Sequence, residues 1–250
     1  KREIAGRHRN GITVRSVTSI EGDYECMTGN GLCLYFKGNH DNVKNRDKNQ
    51  YKLQGEKLMK YMFASDVHGS AYYCRKMLEA YDKEKAERLV LLGDLLYHGP
   101  RNDLPKEYAP KEVIRLLNER KNQIYAVRGN CEAEVDQMVL DFPVMADYCI
   151  LAIEGKTMYA THGHIYNKDN LPPMMDGDIL IHGHTHVLKA ENMGNYILLN
   201  PGSVSIPKEG NPPTYAILEN GIFTIKDFEG NTVRAVSYTH LRAHETVLDL

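Results

Sequence analysis

Residues 181–186 read Ile-His-Gly-His-Thr-His, with three histidines at alternate positions beside a glycine. Alternate residues of an extended segment point to the same side, so His182, His184 and His186 are expected to share one face. Gly183 lets the backbone approach whatever these side chains hold. Since imidazole is the commonest metal-binding side chain, the stretch predicts a metal site. A polar strand end with solvated histidines is the simpler alternative for the hexapeptide alone.

The composition excludes several classes of protein. Of the 250 residues, 42% are hydrophobic and 26% are charged, which suits one large globular domain or a medium domain with extensions. The formal net charge of −2 provides no basic groove for nucleic acid, and the sequence contains neither a long apolar run nor the apolar core of a signal peptide. Five cysteines without a CxxC pair favour a reducing compartment. We expect a cytoplasmic protein with no membrane contact and no stable nucleic-acid complex.

The apolar pattern predicts one folded domain over residues 59–235. Short apolar strands alternate with amphipathic helices up to about residue 143, and strands alone follow, which indicates an α/β class that becomes mostly β. Strands are predicted at 60–65, 88–92, 124–127, 148–153, 156–160, 178–181, 187–191, 196–199, 215–219 and 222–226. Helices are predicted at 71–81 and 111–120, with a short helix after residue 132.

The two ends of the chain have a different pattern. Residues 1–58 are polar and show no sustained period, so we interpret them as a poorly ordered extension that need not be native. Residues 236–250 resemble the read-through of a sequencing adapter and are interpreted as an artefactual tail. These segments contain two alternative metal-binding patterns, Gly38-Asn39-His40-Asp41 and the pair His240 and His244. The first precedes residue 93 and so stands out of order with the polar motifs of residues 66–186, and the second would mimic a metal pair only on a helix.

Five short polar motifs each follow directly after a predicted strand. They are Asp66-Val67-His68, Gly93-Asp94, Gly129-Asn130-Cys131-Glu132, His162-Gly163-His164 and Gly183-His184-Thr185-His186. Side chains at the carboxyl ends of adjacent strands converge on one rim of an α/β sheet, where ligands commonly bind. The sequence therefore predicts a single site formed by all five motifs.

The order of these motifs resembles the signature of the calcineurin-like metallophosphoesterase superfamily. Over about residues 59–234 the chain is similar in particular to the YfcE-like family of small bacterial phosphodiesterases, and the stretches 63–70, 93–102, 127–132 and 200–205 carry that resemblance. The resemblance implies an α/β fold in which a two-sheet β-sandwich is flanked by helices in four layers. It also implies metal ions on the rim between the sheets.

The resemblance further implies two divalent metal ions that share Asp94. It assigns Asp66, His68, Asp94 and His186 to the first ion, and Asp94, Asn130, His162 and His184 to the second. Mixed nitrogen and oxygen ligands suit manganese, iron, zinc or nickel, and the resemblance favours Mn²⁺. Two such ions would activate a hydroxide for in-line attack on phosphorus. The implied activity is hydrolysis of a small phosphodiester substrate.

The catalytic set implied by the resemblance consists of Asp94, Asn130, Cys131 and His98. Cys131 stands where most of the superfamily has a histidine that is thought to protonate the leaving oxygen, although the YfcE-like family shares the cysteine. A neutral thiol is a weak hydrogen-bond donor, so we expect activated or specialised diesters as substrates. His98 is a candidate for contacting the phosphate, and the alternative is a structural role beside the metal ligands.

Two other functions remain open at this point. A scaffold of the same fold could bind proteins without catalysis, as the Vps29-like retromer subunits do, although a scaffold need not keep every metal ligand. A phosphomonoesterase or protein phosphatase would use the same metals on a different substrate. The resemblance also suggests a homo-oligomer. The physiological substrate depends on the shape of the pocket and cannot be derived from these motifs.

Overall fold

The computed structural model describes residues 59–153 and 155–237 in full, and residues 3–9, 12–19, 22–29 and 32–37 at the level of secondary structure. The chain divides into two compact units, Lys1–Glu56 and Lys57–Leu250. Both alternative metal-binding patterns, at residues 38–41 and at His240 and His244, lie outside the described residues.

The first unit contains a four-stranded antiparallel sheet in the order β1-β2-β3-β4. Its strands are β1 (Glu3–Arg9), β2 (Ile12–Ser19), β3 (Gly22–Gly29) and β4 (Leu32–Lys37). The apolar pattern predicts no strands here, because these segments lack hydrophobic alternation. Asn-Gly pairs at 10–11 and 30–31 are a sequence signal for β-hairpins, and hydrophobic periodicity does not detect this signal. The interpretation that residues 1–58 need not be native stays a prediction.

The described residues of the second unit, 59–153 and 155–237, form eleven strands and three α-helices. In chain order they are β5 (Tyr61–Ala64), α1 (Ala71–Glu84), β6 (Arg88–Leu91), α2 (Pro110–Asn118), β7 (Ile124–Ala126), α3 (Glu134–Val139), β8 (Tyr148–Ile153), β9 (Lys156–Thr161), β10 (Ile179–Ile181), β11 (Lys189–Asn192), β12 (Ile197–Asn200), β13 (Thr214–Glu219), β14 (Ile222–Asp227) and β15 (Thr232–Ser237). Every strand and helix predicted from the sequence is present, with ends displaced by a few residues.

Two mixed sheets form the second unit, which confirms the predicted α/β sandwich. One sheet has six strands in the order β15-β14-β13-β5-β6-β7, and the other has five in the order β11-β12-β10-β9-β8. Parallel pairing joins β5, β6 and β7 in the first sheet and β9, β10 and β12 in the second. The carboxyl ends of these parallel strands therefore collect on one edge of each sheet.

Strand β5 shows how side-chain alternation builds the layers. Tyr61 and Phe63 pack in the apolar core that includes residues of both sheets, whereas Met62 and Ala64 pack in the core formed with the helices. A strand buried on both faces needs apolar residues at every position, and all four residues of β5 are buried. Helix α1 begins at the Ser70 N-cap, whose hydroxyl accepts a hydrogen bond from the backbone N–H of Tyr73.

Strand β15 is absent from the predicted elements and crosses the predicted domain boundary at residue 235. Val236 pairs with Phe223 of β14 and packs against the core between the sheets, so the folded unit extends to Ser237. The pattern analysis missed this strand because most of its residues are exposed at the edge of the sheet. Among the described residues, no helix is long and apolar enough to span a bilayer.

Candidate metal centre

The seven predicted metal ligands all lie in the loops that follow parallel strands. The six-stranded sheet supplies Asp66 and His68 after β5, Asp94 after β6 and Asn130 after β7, and the five-stranded sheet supplies His162 after β9 and both His184 and His186 after β10. The structure brings them together in two adjoining groups that meet at Asp94.

The first group, defined here as Asp66, His68 and His186 together with Asp94, is tightly clustered. His68 Nε2 lies 3.3 Å from His186 Nε2 and 3.7 Å from Asp94 Oδ2, and His186 Nε2 lies 3.4 Å from Asp66 Oδ1. Atoms that share one ion at about 2.1 Å are separated by about 3.0–3.4 Å in octahedral or tetrahedral geometry. The 3.3 and 3.4 Å separations fall within this range. The 3.7 Å separation and the 3.8 Å separation between His68 Nε2 and Asp66 Oδ1 lie slightly above it, so small shifts of these side chains would let the group share a cation.

The second group, defined as Asn130, His162 and His184 together with Asp94, has comparable spacing. His162 Nε2 lies 3.4 Å from Asp94 Oδ2 and 3.2 Å from both Asn130 Oδ1 and His184 Nδ1. Two oxygens and two ring nitrogens thus face one another. This donor set is the mixed nitrogen and oxygen environment that divalent transition metals accept.

Backbone carbonyls orient three of the imidazoles. The Nδ1 atoms of His68, His162 and His186 lie 2.8, 2.6 and 2.6 Å from the carbonyl oxygens of Tyr97, Leu92 and Ile206, respectively. When Nδ1–H donates to the carbonyl, the lone pair of Nε2 is left to face the centre of the group. Metal-binding histidines are commonly fixed in this way.

Asp66 provides the clearest sign that the first group is built for a cation. Its side chain is fully buried, and Oδ1 accepts no hydrogen bond from any residue that the structure describes. Burial raises the pKa of Asp66 to about 6, because the charged form loses its hydration. A buried carboxylate oxygen without a donor is costly, and a cation between Asp66, His68 and His186 would compensate it.

The pKa values of the four histidine ligands are shifted in different directions. Burial lowers the pKa of His68, His186 and His184, in the last case to about 4, so these rings are neutral and able to coordinate. His162 differs: although burial opposes it, the contact with Asp94 raises the pKa of His162 to about 9. A positive charge is therefore favoured between these two side chains.

Five of the seven ligands have left-handed backbone conformations. Asp66, His68, Asp94, His184 and His186 have φ between 48° and 65°. Residues other than glycine rarely adopt this region, and such strain concentrates at functional sites. The turns redirect each side chain from the strand axis towards the rim.

Two glycines permit the close approach of the loops that carry these ligands. A Cβ atom on Gly129 would overlap the Asp94 carboxylate, and a Cβ atom on Gly183 would overlap the Ser65 hydroxyl and lie 2.9 Å from Asp66 Oδ2. Any side chain at either position would displace a ligand. This explains why glycine precedes both Asn130 and His184.

The loop containing Asp94 is held by a glutamate to which the sequence analysis assigns no role. Glu132 accepts hydrogen bonds from the backbone N–H groups of Asp94 (2.9 Å), Leu95 (2.7 Å) and Gly129 (2.5 Å). Because it lies two residues after Asn130, Glu132 connects the loops that follow β6 and β7. The sequence signal for this supporting role of Glu132 is its position in the motif that contains Asn130.

Residues 200–205 support the opposite side of the centre. The hydroxyls of Ser203 and Ser205 both donate to the carbonyl of Asp66, at 3.1 and 3.0 Å. The side chain of Asn200 donates to the carbonyl of Gly183 at 2.9 Å. This segment fixes the two ligand loops without contributing a ligand.

The expectation that three alternate histidines share one face is wrong for His182. Strand β10 ends at Ile181, so the hexapeptide is not an extended segment and its side chains do not alternate. His182 is buried, and its Nδ1 lies 2.9 Å from the carbonyl of Gly183. It belongs to neither ligand group.

A cavity of about 440 Å³ opens onto both ligand groups. Cys131 lines it, and its backbone N–H donates to Asp94 Oδ1 at 2.9 Å. His98 does not line this cavity; its half-buried ring packs edge-on against Tyr97 and Tyr108, and its predicted contact with phosphate stays a prediction. Lys208 also lines the cavity, and no motif in the sequence indicated it.

A two-sheet sandwich with paired metal-ligand groups on its rim is the architecture that the sequence resemblance predicts for metal-dependent phosphoesterases. The model of the calcineurin-like phosphoesterase superfamily domain matches residues 59–221, and the chain belongs to this superfamily. Phosphodiesterase YfcE of Escherichia coli strain K12 is 48% identical over 168 residues, which cover 67% of this chain and 91% of that protein.

Two solved structures are also similar to this chain. The structure of YfcE, described as a phosphoesterase from E. coli, aligns with a TM-score of 0.71 and 45% identity, and covers 72% of this chain and all of that one. Vacuolar protein sorting 29 from Cryptosporidium parvum aligns with a TM-score of 0.50 and 17% identity over 73% of this chain and all of that one, which shows a shared fold alone. Family and relatives support phosphoesterase activity.

Proposed function

We propose that this protein hydrolyses phosphodiester bonds with two divalent metal ions that share Asp94. The observation that carries the proposal is the joining of two ligand groups at one buried carboxylate, with facing ligand atoms 3.2–3.7 Å apart. The similarity to a phosphodiesterase at 48% identity supports the choice of substrate class. The proposed substrate is small, and the proposed metal is Mn²⁺, which the nitrogen and oxygen ligands accept.

When bound, the two ions would polarise phosphoryl oxygens and lower the pKa of a water molecule so that hydroxide is available near neutral pH. The chain itself holds the ligands in place through Glu132 and the carbonyls that orient the imidazoles. Asn130 contributes its amide oxygen at the solvent-facing side, where a substrate would enter.

Cys131 limits the leaving groups that this site can expel. Burial and the nearby Asp94 carboxylate raise the pKa of the Cys131 thiol above its ordinary value, so the thiol keeps its proton. A neutral thiol donates hydrogen bonds weakly, and it would give a departing alkoxide little assistance. The site therefore favours esters of acidic alcohols or phenols.

The proposal is tested by metal analysis and by rates with two nitrophenyl substrates. Mass spectrometry of the purified chain should find two metal ions per chain after loading with Mn²⁺. The kcat/KM for bis(p-nitrophenyl) phosphate should exceed that for p-nitrophenyl phosphate and should vanish after chelation. Faster cleavage of the monoester would instead indicate a phosphomonoesterase or protein phosphatase. Bound metal without hydrolysis of either ester would indicate a scaffold.

A further inference from the structure

The cavity at the metal centre is larger than the reacting group needs. Its volume of about 440 Å³ lies within the range of about 300–1,000 Å³ found for cavities that hold a whole small molecule. Buried ligands such as His68 and Asp94 form its inner end, whereas Arg101 and Lys208 are exposed. One arm of a diester would therefore extend from the metal centre towards these two cations.

The two cations have no ion-pair partner in the part of the chain whose side chains are described. Within residues 59–153 and 155–237, neither Arg101 nor Lys208 forms an ion pair, whereas Arg75 and Arg120 each pair with a carboxylate. Asp94 is the only carboxylate among the described residues that line the cavity, and it is already assigned to the metals. Two cations without an ion pair therefore lie at the exposed end of the cavity, where they can attract an anion.

Arg101 lies on a loop that is anchored to the first ligand group. The carbonyl of Tyr97, at the start of this loop, lies 2.8 Å from His68 Nδ1. Within the loop, the Asn102 side chain donates to the carbonyl of His98 at 2.8 Å, and the Asn102 backbone N–H donates to the carbonyl of Gly99 at 3.3 Å. These bonds fix the backbone on both sides of Arg101.

Lys208 is anchored to the same group through another ligand. Its backbone N–H donates to the carbonyl of His186 at 3.1 Å, and the carbonyl of Ile206 lies 2.6 Å from His186 Nδ1. Both cations are thus carried by loops that are bonded to ligands of the first group. Their backbones are therefore set at fixed positions relative to the reacting phosphorus, as a binding subsite requires.

We propose that Arg101 and Lys208 bind a second anionic group, a phosphate or carboxylate, on one arm of the substrate. The substrate class is then a phosphodiester that carries at least one negative charge beyond the diester itself. This inference rests on the proposed function, since the diester must lie at the metal centre for its arm to reach the two cations.

The test compares two p-nitrophenyl esters of thymidine 5′-phosphate that differ only in a phosphate on the 3′-hydroxyl. The Mn²⁺-loaded protein should prefer the 3′-phosphorylated ester by about tenfold in kcat/KM, mainly through a lower KM. Arg101→Gln and Lys208→Gln should each remove most of this preference. Lys208→Arg keeps the charge and should retain it, and Lys111→Gln, an exposed lysine on α2, should behave like the unmodified chain.

A calorimetric titration separates this inference from the proposed function. Thymidine 3′,5′-bisphosphate should bind more tightly than thymidine 5′-phosphate, and both glutamine variants should reduce the difference. If neither diester is hydrolysed, the proposed function fails while the titration still decides the subsite. Equal binding of the two nucleotides, or variants that weaken both equally, would overturn the subsite.

Discussion

The two ligand groups of the metal centre differ in how deeply the fold encloses them. In the first group, Asp66, His68 and His186 are at most 4% exposed. In the second group, Asn130 is exposed and His184 is half-buried, whereas His162 is as deeply buried as the ligands of the first group. The supports of Asp66 and Asn130 differ as well. The backbone carbonyl of Asp66 accepts hydrogen bonds from Ser203 and Ser205, and its Oδ2 accepts one from the backbone N–H of His184. Among the described residues, the side chain of Asn130 has hydrogen-bond contacts with Cys131 and His162 alone.

With the proposed two metal ions, the first group would give an enclosed position and the second group a more accessible one. Ligands that are already held in place lose little conformational freedom on binding an ion, so we expect tighter binding at the first group. The second group is open to the cavity and would exchange its ion more readily. Asp94 belongs to both groups and couples them.

The largest effect is expected where the two groups meet. Asp94→Asn removes the shared charge, so kcat/KM for bis(p-nitrophenyl) phosphate should fall by more than about a hundredfold, the upper end of losses seen for residues that merely support ligands. Mass spectrometry should show loss of metal from both positions. Asp103→Asn, an exposed carboxylate outside the ligand groups, is the control. Full turnover in Asp94→Asn would show that Asp94 is not a shared metal ligand.

Chelation of the metal ions should lower the thermal stability mainly through the buried first group. Removing the metals leaves Asp66 Oδ1 buried without a hydrogen-bond donor, so the Tm measured by differential scanning fluorimetry should fall by about 5–10 °C. Asn130→Ala should keep most of this shift, because its group is open to solvent. Asp66→Asn should keep little of it. Equal shifts in the two variants would mean that the groups bind metal equally tightly.

The side chain of Cys131 should matter less than its backbone. Its N–H holds Asp94 Oδ1, which Cys131→Ala preserves, and its protonated thiol is a weak acid catalyst. Because p-nitrophenolate departs without protonation, the variant should cleave bis(p-nitrophenyl) phosphate within about threefold of the unmodified rate. A loss of activity as large as that of Asp94→Asn would show that the thiol takes a direct part in the reaction.

The smallest effect is expected far from both groups, at Glu84. Hydrogen bonds from Lys226, Lys60 and Tyr215 outweigh partial burial and lower the pKa of this carboxyl group. A lowered pKa stabilises the fold at neutral pH, and this contribution is lost as the pH falls below about 4.5, the ordinary value for glutamate.

Glu84→Gln should accordingly lower the Tm by about 2–4 °C at pH 7, and the difference should disappear in acid. Glu79→Gln, an exposed position on the same helix, is the matched control. Because Glu84 touches neither ligand group, the chelation shift should be unchanged, which sets the baseline for comparing the two groups. A Tm difference that persists at pH 3 would contradict the assigned ion pairs.

Much of the fold followed from the sequence because its central strands are buried on both faces. An apolar run such as Tyr61–Ala64, bounded by polar residues, has few other interpretations in an α/β chain. The exposed edge strand Thr232–Ser237 and the polar strands of the first unit lack this signal. Their position in a sheet depends on pairing with other strands rather than on local hydrophobicity.

The sequence by itself determined which residue types meet at the rim, because strand ends and donor chemistry are local properties. The tertiary structure decided the rest: the left-handed turns at five ligands, the exclusion of His182, the unequal enclosure of the two groups and the presence of Lys208 in the cavity. The physical reason is that side-chain direction is set by contacts between distant segments. The backbone N–H of His184, for example, donates to Asp66 Oδ2 at 3.2 Å across 118 positions of sequence.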